Sequence, residues 1–230
     1  MKSCIKLGMM YQYGKGIKKD IYQATKYYHK ACGTIEGSGC SMLGELELNR
    51  PKGSIVQALL YFDKGCKKGD ASSCTKYAYY HQSNTYTQQN LPLAMNAYRQ
   101  ACKHDKVECV ALADIYNKGQ LGVKVNFTKA RRYYNKACDG GSSIGCYRIG
   151  NLYYQGKGVK QNYKKAKTYY EKSCNGNMLN GTERGCNNLA VLYYYGRGTK
   201  RDIAKAKTYY HKACNKGYIT ACQTLKALKN

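Results

Sequence analysis

The sequence has no tryptophan, two phenylalanines and two prolines. Acidic residues are scarce: 13 Asp+Glu stand against 39 Lys+Arg in 230 residues, a formal net charge of +26. No apolar run approaches the ~18–20 residues that a membrane-spanning helix needs, which excludes such a span. Strict apolar–polar alternation is missing too, which argues against sheet. With proline so rare and Lys, Ala and Leu abundant, the chain reads as all-α. The four histidines, His29, His81, His104 and His211, show no ligand spacing. No metal site and no cofactor is expected.

Cysteine and tyrosine are abundant instead, at 13 and 26 residues. Twelve cysteines form six pairs: Cys32/Cys40, Cys66/Cys74, Cys102/Cys109, Cys138/Cys146, Cys174/Cys186 and Cys214/Cys222. The separation is eight residues in four pairs, seven in one and twelve in one, and pairs recur about every 36 residues. Such a period marks an array of small repeats. The first cysteine of each pair closes a segment of the form A-x-x-Y-[YF]-x-K-[AGS]-C, as in ATKYYHKAC at Ala24–Cys32 and AKTYYEKSC at Ala166–Cys174. AMNAYRQAC at Ala94–Cys102 is a weaker copy. Its apolar positions i, i+3, i+4 and i+7 have helical spacing.

Local signals bound the helices. Four residues before each lead alanine stand Asp20, Ser54, Asn90, Asn126, Asn162 and Asp202, whose side-chain oxygens suit an N-cap. After each second cysteine a further helical pattern runs on, as in CYRIGNLYYQGKG at Cys146. A small residue lies four beyond that cysteine, or beyond Cys4: Gly8, Gly44, Ala78, Ala113, Gly150 and Ala190. It admits a close neighbouring helix. The last copy has Lys226 there, so the array is expected to end at Cys222–Asn230. Gly14/Gly16, Gly156/Gly158 and Gly196/Gly198 stop these helices, since glycine reaches positive φ cheaply. The G-x-G they spell is no phosphate loop, because neither a preceding strand nor the full G-x-G-x-x-G is present.

The pairs join the end of one hairpin to the start of the next. Two helix ends across a short turn come within the 4.4–6.8 Å Cα separation of a disulfide, and disulfides are the reading adopted, with zinc or free thiols as alternatives. Disulfides imply an oxidising compartment, so the protein is expected to be secreted, periplasmic or extracellular, although no signal peptide is present. Cys4–Gly16 matches Cys146–Gly158 position by position. Cys4 therefore looks like the second member of a pair whose first lies upstream, in a chain truncated inside a repeat. The alternative is a true start with Cys4 unpaired or intermolecular. The expected hairpins are 1–36, 37–70, 71–105, 106–142, 143–182 and 183–218, with a capping helix at 219–230.

These units resemble Sel1-like repeats, relatives of tetratricopeptide repeats. The cysteine pairs and high lysine make the chain similar to the Helicobacter cysteine-rich proteins, most specifically at CYRIGNLYYQGKGVKQNYKKAKTYYEKSC. NRPKG at 49–53, HQSNTYTQQN at 81–90 and the long Cys174–Cys186 connection depart from the pattern. The resemblance implies a right-handed α/α superhelix, a solenoid of helical hairpins. It also implies slow β-lactamase or penicillin-binding activity on 6-aminopenicillanic and 7-aminocephalosporanic acid derivatives.

The residues themselves do not spell that chemistry. Ser3–Lys6 and Ser73–Lys76 match S-x-x-K, but S-D-N and K-T-G are absent, so no catalytic residue is named. A binding scaffold has firmer support, because stacked hairpins offer an extended surface. Its face would carry Glu45, Tyr79, Asp114, Tyr147, Asn151, Tyr154, Asn187 and Tyr194, residues that bond an extended peptide or give apolar area with a polar tip. The partner would be a β-lactam or cell-wall-derived small molecule, or a host or cell-wall peptide or protein, bound by a monomer. Solvent-facing lysines also suit anionic surfaces. Nucleic acid is not expected, for want of a recognisable binding module. Asn126 and Asn180 fit the glycosylation pattern, but Asn126 is better read as a cap.

Overall fold

The six helix starts expected from the sequence hold a first-turn N–H group with a side chain. In a computed structural model of the chain, which describes residues 2–33, 37–83, 88–176 and 181–228, Asp20, Ser54, Asn90, Asn126, Asn162 and Asp202 each accept from the backbone N–H three residues on, at 2.8–3.3 Å. The capping signal in the sequence is borne out at every one of these positions. Thirteen helices and no strand occur among the described residues. The expected boundary at Glu36 and the glycosylation pattern at Asn180 lie outside them.

The chain divides into two compact units, Met1–Glu108 and Cys109–Asn230. The first contains α1 (Lys2–Tyr13), α2 (Ile21–Cys32), α3 (Ser38–Leu48), α4 (Ile55–Lys67), α5 (Ala71–His81) and α6 (Leu91–His104). The second contains α7 (Cys109–Lys118), α8 (Phe127–Asp139), α9 (Ser143–Gln155), α10 (Tyr163–Cys174), α11 (Thr182–Tyr195), α12 (Ile203–Asn215) and α13 (Ile219–Ala227). Within each unit every odd-numbered helix packs on the even-numbered helix that follows it, and each even-numbered helix packs on the next odd one. This is a stack of helical hairpins.

Hairpin closure is repetitive. The backbone N–H of Asp20, Asn90, Asn126, Asn162 and Asp202 donates to the carbonyl of Tyr11, His81, Tyr116, Tyr153 and Tyr193, seven residues beyond the hairpin's cysteine, at 2.8–2.9 Å. Gly156 and Gly196 end their helices at φ near +70° and make those turns possible. NRPKG shortens the turn after α3, and there a side chain replaces the carbonyl: Ser54 N–H donates to Glu47 Oε1 at 3.2 Å.

The second aromatic residue of each Tyr-Tyr or Tyr-Phe pair fills the core. Tyr28, Phe62, Tyr134 and Tyr170 are almost completely buried. The small residue four beyond the cysteine is what admits the ring. A Cβ at Gly8 would sit 2.5 Å from the Tyr28 ring, at Gly44 2.4 Å from Phe62, and at Gly150 2.6 Å from Tyr170. Lys226, at this place in α13, is exposed.

Disulfides pin successive hairpins. Cys32–Cys40, Cys66–Cys74, Cys138–Cys146, Cys174–Cys186 and Cys214–Cys222 have Cα separations of 4.5–4.9 Å. Cys102 and Cys109 are disulfide-bonded as well. Cys4 is free and half-buried. A second set of small residues permits the close approach. A Cβ on Gly39 would lie 2.4 Å from the Cys32 nitrogen, and one on Gly145 or Gly185 3.0 Å from that of Cys138 or Cys174. In the hairpin where Ser73 takes this place, the facing residue is Gly65, whose missing Cβ leaves room for the serine hydroxyl.

Candidate functional site

The odd-numbered helices carry a polar ladder. In three places the residue five beyond the cysteine on one helix meets the residue two beyond the cysteine on the next odd-numbered helix of the same unit. Glu45 accepts from Lys76 Nζ at 2.7 Å. Asp114 Oδ1 lies 3.7 Å from Arg148 Nε. Asn151 Oδ1 accepts from Asn188 Nδ2 at 3.0 Å. Glu45, Asp114 and Asn151 are among the residues expected from the sequence, whereas Lys76, Arg148 and Asn188 are not. The signal for these is their shared position two after the cysteine, which varies in residue type from copy to copy.

The ladder is anchored from below. Tyr134 donates its hydroxyl to Asp114 Oδ1, and Tyr170 donates to Asn151 Oδ1 at 2.7 Å. Burial pushes both phenols above the ordinary range; the Asp114 hydrogen bond adds to this at Tyr134. The phenols therefore stay protonated donors. Asn187 Nδ2 continues the row to Asn188 Oδ1 at 3.3 Å. The other marked residues flank it. Tyr147 lies 6.4 Å from the Tyr170 ring and below the Arg148 guanidinium. Tyr154 accepts from Arg197, whose guanidinium lies over the rings of Tyr154, Tyr163 and Tyr195. Tyr194 packs edge-on against Tyr195 and below Arg201. Glu45 and Tyr79 belong to the first unit, and Tyr79 is half exposed there.

Within the second unit the ladder borders a cleft of about 190 Å³. Asn117, Arg148, Asn151, Gln155 and Lys157 line it, with Tyr134 and Leu152. Asn151 Oδ1 is engaged twice, and its Nδ2 donates to no described group. The polar lining is dominated by N–H donors, which match carbonyl and carboxylate oxygens. The charge distribution agrees: of the residues in Cys109–Asn230, 23 are Lys or Arg and 5 are Asp or Glu.

The S-x-x-K matches form no catalytic pair. Ser73 is fully buried, and its hydroxyl donates to the capping carboxylate of Asp70. Lys76 points elsewhere, to Ser41 Oγ and Ser72 Oγ at 2.7 Å and to Glu45. Ser3 is exposed. No group of three or more His, Cys, Asp or Glu suited to a metal ion occurs among the described residues.

Comparison with known proteins places this architecture. The cytochrome c oxidase assembly factor 7 of Xenopus tropicalis is 28% identical over 139 residues, which cover 57% of this chain and 60% of that protein. The crystal structure of c5321, a protective antigen of uropathogenic Escherichia coli with an SLR fold, matches with a TM-score of 0.75 at 26% identity, over 99% of this chain and 48% of that one. The chain thus spans about half to three fifths of these two proteins. Helicobacter pylori cysteine rich protein B is 31% identical over 57% of this chain and 96% of its own, with a TM-score of 0.44. The Sel1 repeat matches at residues 2–32, 38–70, 71–106, 109–142, 143–178 and 184–218. With six repeats matched over most of its length, the chain belongs to the Sel1 repeat family.

Proposed function

We propose that the protein is a non-catalytic protein-binding scaffold whose second unit holds an extended acidic peptide segment across α7, α9 and α11. The donor-rich cleft beside Asn151 carries this reading. Asn offers donors and an acceptor to a peptide backbone, and Arg148 and Lys157 favour carboxylates. Sel1 repeats mediate protein–protein interactions, which supports the same conclusion. The disulfides fit an oxidising environment outside the cytoplasm, and we take the protein to be secreted. Lactam hydrolysis has no support in the side-chain geometry, because Ser73 is fully buried with its hydroxyl held by the Asp70 cap, and Lys76 is turned to Ser41, Ser72 and Glu45.

Selection of a random peptide library on the intact chain tests this. Acidic peptides should be enriched, and their affinity should fall about tenfold in Arg148→Ala or Asn187→Ala while the circular dichroism spectrum is unchanged. Failure to enrich any sequence, or binding indifferent to both substitutions, would overturn the assignment. Nitrocefin should not be turned over by the purified chain.

A further inference from the structure

Four hairpins share an aromatic stack. Tyr27 lies on Tyr11, Tyr133 on Tyr116, Tyr169 on Tyr153 and Tyr209 on Tyr193, with ring centroids 5.6–5.7 Å apart and planes within 9°. The upper ring is always the first aromatic residue of the Tyr-Tyr pair, and the lower ring lies seven beyond the hairpin's cysteine. The α5–α6 hairpin has lost both. Ala97 stands where the upper tyrosine belongs and His81 where the lower one does.

The lost volume is refilled only in part, for although Ala97 itself is nearly covered a cleft remains beside it. His81 packs instead on Tyr77 in an edge-on contact, centroids 4.6 Å apart. A cleft of about 470 Å³ opens between α4 and α6, with Asp63, Tyr77, Leu93, Ala97, Gln100 and His104 among its walls. This lies within the size range of small-ligand sites. An equivalent place in the second unit shows what such a cleft normally contains. There Tyr169 of α10 donates its hydroxyl to Asn135 of α8 at 3.1 Å. Asn135 directly follows the buried ring of Tyr134, as Asp63 follows that of Phe62. Asp63 therefore occupies the acceptor position for a phenol that this hairpin lacks. Lys67 takes one of its oxygens, Oδ2, at 2.5 Å. Oδ1 accepts from no described group.

We propose that the α4–α6 cleft is a binding site for a phenol, whose ring takes the place of the tyrosine absent at Ala97 and whose hydroxyl donates to Asp63. The ring can come from a tyrosine of a partner protein or from a free small phenol. The acceptor decides against a plain hydrocarbon ring, which would desolvate the carboxylate without bonding it.

Titration of the full chain with p-cresol, followed by 1H–15N correlation spectra, tests the proposal. The amides of Asn96, Ala97 and His104 should shift saturably, and toluene should bind about five- to tenfold more weakly. Asp63→Asn should narrow that difference. Ala97→Tyr should fill the cleft and abolish the shifts while the rest of the spectrum stays dispersed. The pentapeptide Gly-Gly-Tyr-Gly-Gly provides the second arm. Binding tighter than p-cresol assigns the site to a partner's tyrosine, and weaker binding assigns it to a free phenol. Unmoved amides at millimolar p-cresol, equal affinity for toluene, or undiminished binding by a folded Ala97→Tyr chain would each overturn the proposal.

Discussion

The hydroxyl of Tyr170 donates to Asn151 Oδ1 at 2.7 Å, and Asn188 Nδ2 reaches the same oxygen at 3.0 Å. One amide oxygen thus ties a core ring of α10 to the polar rows of α9 and α11. Removal of the hydroxyl by Tyr170→Phe should cost about 1 kcal/mol in urea unfolding. Phe62 shows that an unhydroxylated ring fits this site. Asn151→Ala should cost more, about 1–3 kcal/mol, because it strands a buried phenol donor.

Gly39 has less latitude than the glycines facing aromatic rings. Its Cβ would meet backbone atoms, the Cys32 nitrogen at 2.4 Å and the Tyr28 carbonyl oxygen at 2.5 Å. A ring can swing away, but two helices joined by a disulfide cannot separate without straining it. Gly39→Ala should destabilise the chain by about 1–3 kcal/mol. Alkylation of the unreduced, denatured protein should then detect thiol at Cys32 and Cys40, where the parent chain should show none.

Thiol counting also checks the bracing as a whole. Twelve cysteines are bonded and Cys4 is free, so one equivalent should react before reduction and thirteen after it. Replacing Cys138 and Cys146 together by alanine should lower stability by about 2–4 kcal/mol. A smaller loss would mean that helix packing alone holds this junction.

Alkaline pH should loosen the hairpins. Burial raises the phenols of Tyr28, Tyr98 and Tyr210 to about 12 from an ordinary value near 10. The folded state therefore holds these protons more tightly than the unfolded chain does. Their contribution is fully present below pH 10 and is lost as pH rises from 10 through 12. Stability measured by urea should be flat from pH 8 to 9.5 and fall above it. Absorbance at 295 nm should show a late tyrosinate phase that merges with unfolding.

What the sequence discloses here follows the range of each interaction. Caps such as Asn162 and stops such as Gly156 act over three or four residues, so residue type and spacing suffice to place them. The small residues facing the rings repeat in register with the cysteines and could be found by alignment on the pairs. The polar ladder could not be read in this way. From the sequence Asp114 is a residue of the binding face and no more; its partners Tyr134 and Arg148 come in from two other helices. Ser73 misleads in the opposite sense, since a motif of apparent catalytic spacing is a packing pair with Gly65. The vacancy at Ala97 is visible only once the stack that it interrupts has been seen in its neighbours.

Each sulfur bridge with described geometry spans eight or twelve residues. Oxidation can therefore proceed in step with the emergence of the chain. A cysteine finds its proper mate within the next dozen residues, before more distant thiols compete. Such local pairing keeps contact order low and favours fast folding.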